Sequence, residues 1–256
     1  MYKMKKCFLW TLAALLACGP VYMQARNKNV NAYFHEVEMP DLLKWMPAPP
    51  DTTGSLYVND IMQYMWGKAQ RQDSVRREIA RRDAVYGIKT VAREFSPLLG
   101  VPISKEETPE IYKVLEESLA TCDSICTRPK AHYMRRRPFV RFGEHTITPK
   151  DERYLRGNGS YPSGHAILGW AAALLLTEIN PEAQDTLLAR GLMYGESRVI
   201  VGAHWQSDVD MGFLAASAAY ARLHTSERFL EQMRRARAEF AEKRQALAQA
   251  AKGKEK

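Results

Sequence analysis

Helical periodicity runs through most of the chain, whereas the strict alternation of apolar and polar residues that marks a β-strand is almost absent. With 256 residues, 46% of them hydrophobic, the chain is long enough to bury a sizeable core in one domain. We therefore predict a single compact all-α domain. The predicted helical segments begin at Ser55 and then cover residues 73–86, 110–125, 163–178, 181–197, 203–224 and 227–251.

Three of these segments carry an apolar face that we expect to contact the core. The last of them, residues 227–251, is expected to pack on the domain or on a neighbouring subunit. The three faces consist of Leu56, Ile61, Tyr64 and Met65 in the first segment, Ile111, Val114, Leu115, Leu119 and Cys122 in the third, and Phe229, Met233 and Phe240 in the last.

Residues 1–25 resemble a secretory signal peptide. Three lysines precede an apolar run at 7–18 that is too short to span a bilayer, and cleavage is expected near Ala25. A lipoprotein signal acylated at Cys18 is the alternative. Both interpretations predict a periplasmic or secreted protein. Downstream, the longest apolar run, residues 166–177, is also too short to span a membrane, so no integral membrane segment is expected.

The remaining segments complete the predicted organisation. Residues 26–53 include a run of prolines and are expected to form an extended segment over the domain surface. The domain itself is expected to cover residues 54–251, with a disordered tail at 252–256. Residues 137–160 are polar, basic and punctuated by glycine and proline, which predicts a long functional loop region.

Net charge narrows the possible partners. The formal charge is +8, and removal of the three lysines in the leader leaves +5. This modest excess suits small anionic substrates and argues against a dedicated nucleic-acid surface.

Two cysteines, Cys122 and Cys126, follow the leader. Their spacing of four residues on a predicted helix makes a disulfide between them geometrically awkward, so buried thiols are favoured. Two ligands are also too few for a metal site.

The stretch from Ser197 to Asp208 combines three groups suited to phosphate chemistry. His204 and Asp208 are four residues apart, so on a helix they would lie on one face within reach of each other. A carboxylate that holds one imidazole nitrogen leaves the other free as a nucleophile or base, and Arg198 could bind phosphate oxygens. Taken alone, this spacing also occurs in ordinary structural pairs.

Two upstream clusters could complete such a site. At residues 162–165 a Pro-Ser-Gly-His turn leads into an apolar helix, whose first N–H groups would face a bound anion. Ser163 could add a hydroxyl donor and His165 a proton, although Ser163 could equally be a simple N-cap. Lys130 and Arg137 lie within a basic run that, by itself, would be read as a solvated face.

Together the three clusters form a known pattern. Lys-x6-Arg-Pro at 130–138, Pro-Ser-Gly-His at 162–165 and Ser-Arg-x5-His-x3-Asp at 197–208 resemble the signature of the PAP2 phosphatase and vanadium haloperoxidase superfamily. The flanking residues, among them 158–165 and 178–181, look like those of the class A bacterial non-specific acid phosphatases. The resemblance extends over nearly the whole chain after the leader.

The resemblance implies an acid phosphatase that hydrolyses many phosphate monoesters through a phosphohistidine, with the site where loops and helix ends converge. His204 would be the nucleophile, His165 the general acid and base, and Asp208 the group that orients His204. No cofactor or metal is implied, and a homo-oligomer, a dimer or larger, is expected. The implied phosphate ligands are Lys130, Arg137, Ser163, Gly164 and Arg198.

Two departures from the family pattern are visible. Ala166 stands where the family often has threonine, a change that we expect to tune activity. Arg135 and Arg136 would make the rim of the site unusually basic, which suggests a preference for multiply charged phosphates.

Four other functions remain open at this point. A vanadate-dependent haloperoxidase would use the same oxyanion site, and a metal-dependent hydrolase could use His204 and Asp208. A membrane lipid phosphatase is disfavoured by the missing spans. A phosphate-binding protein without catalysis would have no need for both His165 and His204.

Overall fold

The structure is a computed structural model that describes residues 30–254, and this part of the chain contains helices and no strand. The prediction of an all-α protein is confirmed. Three short 3-10 helices occur at Glu36–Glu38, Pro149–Asp151 and Pro181–Ala183. The α-helices are α1 (Leu42–Trp45), α2 (Ser55–Gln70), α3 (Ser74–Asp83), α4 (Ile88–Leu99), α5 (Pro109–Ser124), α6 (Thr127–Tyr133), α7 (Pro138–Phe142), α8 (Glu152–Arg156), α9 (Gly164–Ile179), α10 (Gln184–Val201), α11 (Gln206–Leu223) and α12 (Glu227–Lys254).

Helix α9 is the centre of the fold. It is apolar on all sides and is buried against α10, α11 and α5, as expected for a helix with no polar face. Its close approach to α10 depends on glycine: a Cβ on Gly169 would lie 2.7 Å from the Tyr194 ring, and one on Gly191 would lie 2.6 Å from the Ala173 Cβ. This packing fixes α9 and α10, whose ends reach the candidate site.

Most predicted helices are present, with differences at their ends. The segment predicted at 181–197 begins as a 3-10 turn and becomes α10 only at Gln184. The region predicted as a loop, 137–160, contains α7 and α8. Helix α4 was not predicted, because Pro97 lies in its last turn and proline normally interrupts a helical pattern.

The predicted inner face of α2 is wrong in part. Tyr64 is buried as expected, but Leu56 and Met65 are exposed. The helix instead turns Tyr57, Asp60, Tyr64 and Gly67 inward, where it contacts α10 and α11. Apolar periodicity does not predict this face, because one of its residues, Asp60, carries a carboxylate.

The other two predicted faces are confirmed. All five predicted residues of α5 are buried, and so are Phe229, Met233 and Phe240 of α12, which packs against α5 in the same chain. Cys122 and Cys126 are buried thiols that are not joined in a disulfide.

The two ends of the chain differ from expectation in detail. Within the described part of segment 26–53, Asp41 caps the short helix α1, and Leu42 is buried in the core. Helix α12 continues to Lys254, into the segment predicted as a disordered tail. The predicted signal peptide at 1–25, with Cys18, lies outside the described residues. Among residues 30–254, no helix is long and apolar enough to cross a membrane.

Candidate active site

The candidate site lies where the N-termini of α9 and α11 meet the C-terminal part of α10 and the segment joining α6 to α7. The predicted catalytic and cationic groups are close enough there to shift one another's pKa values: Arg198, His204 and Arg137 all act on His165, and Lys130 acts on His204. Three sequence clusters that are distant along the chain therefore form one site.

His204 lies in the turn between α10 and α11, outside the helix in which we expected it. Gly202 adopts the left-handed conformation, with φ of 87°, and ends α10, while α11 begins only at Gln206. The expected contact with Asp208 is nevertheless present: Nδ1 of His204 is 3.3 Å from Oδ2 of Asp208. Asp208 lies in the first turn of α11, and its Oδ2 also accepts the Trp205 N–H at 2.9 Å.

Arg137 determines which nitrogen of His204 carries the proton. Its Nη1 lies 2.9 Å from Nε2 of His204. Because a guanidinium can only donate, Nε2 must accept, and the proton of the neutral ring is on Nδ1, directed at Asp208. The lone pair of Nε2 therefore faces the cationic side of the site.

Arg137 is itself held rigidly by carbonyl oxygens. Its Nε donates to the carbonyls of Leu155 and Asn158, at 2.9 and 3.0 Å, and Nη1 also donates to that of Ala203 at 3.0 Å. The side chain is buried, and this burial lowers its pKa. The cation is thus fixed in place before any substrate binds.

Two further cations complete the positive cluster. Lys130 donates through Nζ to the Gly159 carbonyl at 3.0 Å, and desolvation lowers its pKa to about 8. Arg198 on α10 is 1% exposed, and its Nε and Nη1 have no hydrogen-bond partner among the described residues. A buried, unsatisfied guanidinium is costly unless it binds an anion, so Arg198 is a strong indication of a ligand.

His165 is oriented by a carbonyl from the loop after α3. Its Nε2 is 3.0 Å from the Ala84 carbonyl oxygen, which can only accept, so Nε2 carries a proton. Nδ1 is therefore the ring nitrogen that can exchange a proton with a substrate. Burial, together with the neighbouring Arg198, lowers the pKa of His165 well below its ordinary value. For His204, burial and then Arg137 shift the pKa in the same direction, which favours the neutral form of both rings.

The N-terminus of α9 adds backbone donors. Ser163 is the N-cap, and its Oγ accepts the Ala166 N–H at 3.3 Å, as expected for a cap. The N–H groups of Gly164 and His165 precede the first intrahelical bond, so α9 itself supplies no acceptor for them, as at the anion-binding N-termini of other helices. The N-cap interpretation of Ser163 is confirmed, and its role as a phosphate donor stays a prediction that the cap permits, since a capping oxygen keeps its own hydroxyl proton.

Arg135 does not lie at the rim of the site. The expectation that it forms a basic rim with Arg136 is wrong, because the Arg135 side chain is 8% exposed and paired with Asp60 and Asp208. Arg136 remains exposed. Asp60 was missed as a site-associated residue, since a partner 75 positions away leaves no spacing signal.

The chain is similar over most of its length to known proteins. A family model described as the PAP2 superfamily matches residues 114–229. The chain is 44% identical over 210 residues to a non-specific acid phosphatase of Providencia stuartii, covering 82% of this chain and 84% of the relative. It is 41% identical over 204 residues to a non-specific acid phosphatase of Salmonella typhimurium strain LT2, covering 79% and 81%. An acid phosphatase of Zymomonas mobilis is 34% identical over 239 residues, covering 91% and 89%.

The family match, together with the all-α fold, places the chain in the PAP2 superfamily. Within that superfamily it belongs to the non-specific acid phosphatases, because it shares 34–44% of its residues with these relatives over most of both chains. The protein is a phosphatase.

Proposed function

We propose that the protein hydrolyses a broad range of phosphate monoesters without a metal ion, through a phosphohistidine on His204. The observation that carries the proposal is the state of the His204 ring. Nδ1 is held by Asp208, and the lone pair of Nε2 faces Arg137 at 2.9 Å. A neutral imidazole presented in this way among cations can attack an anion that the same cations bind.

The first step transfers the phosphoryl group to the enzyme. Nε2 of His204 attacks phosphorus, the bond from phosphorus to the ester oxygen breaks, and its electron pair leaves with that oxygen. The proton on Nδ1 of His165 passes to the departing alcohol. Positive charge develops on the His204 ring, and the Asp208 carboxylate 3.3 Å from Nδ1 stabilises it.

The second step releases phosphate. Nδ1 of His165, now without its proton, accepts one from water, and the water oxygen attacks phosphorus as the bond to Nε2 of His204 breaks. In both steps the equatorial oxygens carry charge that Lys130, Arg137 and Arg198 are placed to stabilise, with Ser163 and the α9 N-terminus.

The shifted pKa values support activity at acidic pH. His204 must be neutral to attack, and burial with its cationic neighbours keeps its pKa well below the ordinary value. His165 must be protonated to act as the acid. A bound phosphate dianion opposes the effect of Arg198 on His165 and raises its pKa, while low pH favours the same protonated form.

Independence from metal is part of the same proposal. Fixed cations and a helix N-terminus supply the positive field that a metal ion would otherwise provide. Among the described residues, no group of three or more His, Cys, Asp or Glu side chains could hold a metal ion. Phosphate release that stops in excess chelator and returns with a divalent cation would overturn this part.

The test of the nucleophile compares the wild type with His204→Ala in a panel of phosphate monoesters at several pH values. We expect His204→Ala to release no phosphate above background. Wild-type enzyme quenched during turnover of ³²P-labelled substrate should carry label that is stable to alkali and labile to acid, as expected of phosphohistidine. His145→Ala is the matched control, since the His145 side chain is 82% exposed and hydrogen-bonded to Glu152, and neither residue is among the predicted site residues.

Two outcomes would change the assignment. Equal phosphate release by wild type and His204→Ala would remove the nucleophile. Peroxide-dependent bromination with added vanadate, without phosphatase activity, would favour the haloperoxidase.

We also propose that residues 1–25 direct the enzyme to the periplasm or outside the cell. Recovery of full-length protein, starting at Met1, from the cytoplasm would contradict this.

A further inference from the structure

Arg135 is a buried cation shared by two buried carboxylates. Its Nη1 donates to Oδ1 of Asp208, and its Nη2 donates to Oδ2 of Asp60 at 2.7 Å. Both carboxylates are fully buried, and the Arg135 side chain is 8% exposed. The guanidinium lies 5.9 Å from the Tyr161 ring centre and 5.6 Å from that of Trp205, so aromatic faces also limit its movement.

Ser207 joins this arrangement to the first turn of α11. Its N–H donates to Oδ1 of Asp60 at 2.8 Å, and its Oγ donates to Oδ2 at 2.7 Å. Arg135 in turn donates to the Ser207 Oγ at 2.8 Å. Asp60 on α2 therefore holds both Arg135 and the residue next to Asp208, which fixes the start of α11 relative to α2.

The two oxygens of Asp208 have separate partners. Oδ2 accepts from Trp205 N–H and contacts His204, while Oδ1 accepts from Arg135. Rotation of the carboxylate would break bonds on both sides. The orientation that directs Oδ2 at His204 is thus maintained by a guanidinium on the opposite side.

Asp60 also sets the net charge of the group that it forms with Arg135 and Asp208. Arg135 alone would cancel the charge of Asp208 and weaken its support for a positive His204 ring. With Asp60 ionised, the three side chains carry a net charge of about −1 in a site with little water to screen it.

We propose that Asp60 and Arg135 are positioning residues that hold Asp208 toward His204 and preserve one net negative charge beside the phosphorylated ring. The inference rests on the proposed phosphohistidine mechanism and assigns it two residues that the three motifs do not specify, since Arg135 occupies an unspecified position of the first motif and Asp60 lies outside all three. Neither residue contacts the reacting atoms.

Among the described residues, seven charged or titratable groups surround His204. They are Arg137, Lys130 and Arg198 on its Nε2 side, His165 at the start of α9, and Asp208 with Arg135 and Asp60 behind Nδ1.

The test is a cycle of Asp60→Asn, Arg135→Gln and the double variant. The single changes alter the net charge of the group in opposite directions, and the double change restores it. In the double variant, the introduced glutamine amide can donate to Asp208 and accept from the introduced asparagine amide, which re-forms a neutral bridge. Arg135→Lys adds a variant that keeps the charge but cannot bridge both carboxylates in the same way.

The measurements are the rate of phosphoenzyme formation, the pH profile of kcat/KM and the melting temperature. We expect each single variant to form phosphoenzyme roughly 10- to 100-fold more slowly, and the double variant to be faster than either. The acid limb of the profile reports protonation of His204. It should move to lower pH in Asp60→Asn, to higher pH in Arg135→Gln, and back toward wild type in the double variant and in Arg135→Lys.

A purely structural role predicts a different pattern. Rates would then follow melting temperature, the double variant would be the slowest, and the acid limb would not move; that pattern overturns the inference. Single variants that label at the wild-type rate also overturn it. Absence of label in the wild-type enzyme is a separate result that overturns the phosphohistidine proposal, and it is seen before any variant is compared.

Discussion

The Ser163 N–H donates to the backbone carbonyl of Asp208 at 2.8 Å. This bond joins the N-termini of α9 and α11, which carry the proposed acid His165 and the carboxylate that orients His204. The distance between the acid and the nucleophile therefore depends on how closely these two helices approach each other.

Gly212 on α11 permits that approach. A Cβ at this position would lie 2.9 Å from the Ser163 carbonyl oxygen and 2.8 Å from the Ala166 Cβ. We predict that Gly212→Ala moves the helices apart by about 0.5–1 Å, since carbon atoms prefer separations of about 3.5–4 Å. A shift of this size should lower kcat by about 100-fold. The measurements are steady-state kinetics and circular dichroism.

Gly157→Ala is the control for this prediction. A Cβ there would meet only the Tyr154 carbonyl oxygen at 3.8 Å, an ordinary contact, so activity should change less than about twofold. If Gly212→Ala kept wild-type kcat while folding normally, the separation of the two helices would not limit catalysis.

The parts of this architecture that were predicted correctly come from local patterns. The buried face of α5 follows from helical spacing, and Ser163 as N-cap follows from the preference of serine for that position. The turn that carries His204 was missed, because the pattern of 203–224 continues through it and only the left-handed Gly202 ends the helix.

The residues of the site that local sequence patterns did not predict are held by tertiary contacts. Asp60 is polar on the inner face of α2, and its burial depends on the hydrogen bonds it accepts from Arg135 and Ser207. Both donors are distant in sequence, and Arg135 was expected at the surface. The carbonyls of Leu155 and Asn158, which hold Arg137, likewise come from the segment predicted as a long functional loop region, and that of Ala203 comes from the turn after α10. A motif predicts which groups react, whereas the residues that hold those groups follow from the folded arrangement.

The exposed side chain of Arg136 gives a prediction about substrate preference. Its carbonyl accepts the Trp205 indole N–H at 2.8 Å, which fixes the backbone beside His204 and leaves the guanidinium in solvent. We predict that Arg136→Ile lowers the ratio of nucleoside triphosphate to aryl phosphate turnover by about two- to fivefold, the range expected for an exposed charge. Arg141→Ile removes an exposed charge from α7 as a control. An unchanged ratio in Arg136→Ile would refute the preference for multiply charged phosphates.

The partly buried ammonium of Lys130 predicts how phosphate binding depends on pH. Desolvation lowers its pKa to about 8, so in the free enzyme the cation is lost as pH rises through that value. The inhibition constant of inorganic phosphate should therefore increase above about pH 8. In Lys130→Arg the charge persists, so binding should be weaker throughout but should not decline further between about pH 8 and 9.5. Identical pH profiles in both enzymes would exclude Lys130 as the group responsible.

The final prediction concerns stability and compares two arginines of α10. Arg198 has two nitrogens without partners among the described residues, whereas Arg190 donates to both oxygens of Asp83 and to Glu94. We predict that Arg198→Met increases the free energy of unfolding of the ligand-free enzyme by about 1–3 kcal/mol, because it removes a buried unsatisfied cation. The same change should lower kcat/KM by at least about 100-fold and abolish stabilisation by phosphate.

Arg190→Met should have the opposite effect on stability. It leaves the fully buried Asp83 without its cation, and burial already raises the pKa of that carboxyl, so we expect a loss of about 3–5 kcal/mol. Urea denaturation of both variants, with and without phosphate, measures the difference. If Arg198→Met were destabilised as strongly as Arg190→Met, Arg198 would be a structural residue satisfied in the folded state. If Arg198→Met instead gains stability and no longer binds phosphate, the Arg198 cation destabilises the fold in the absence of ligand. A bound anion then offsets that destabilisation.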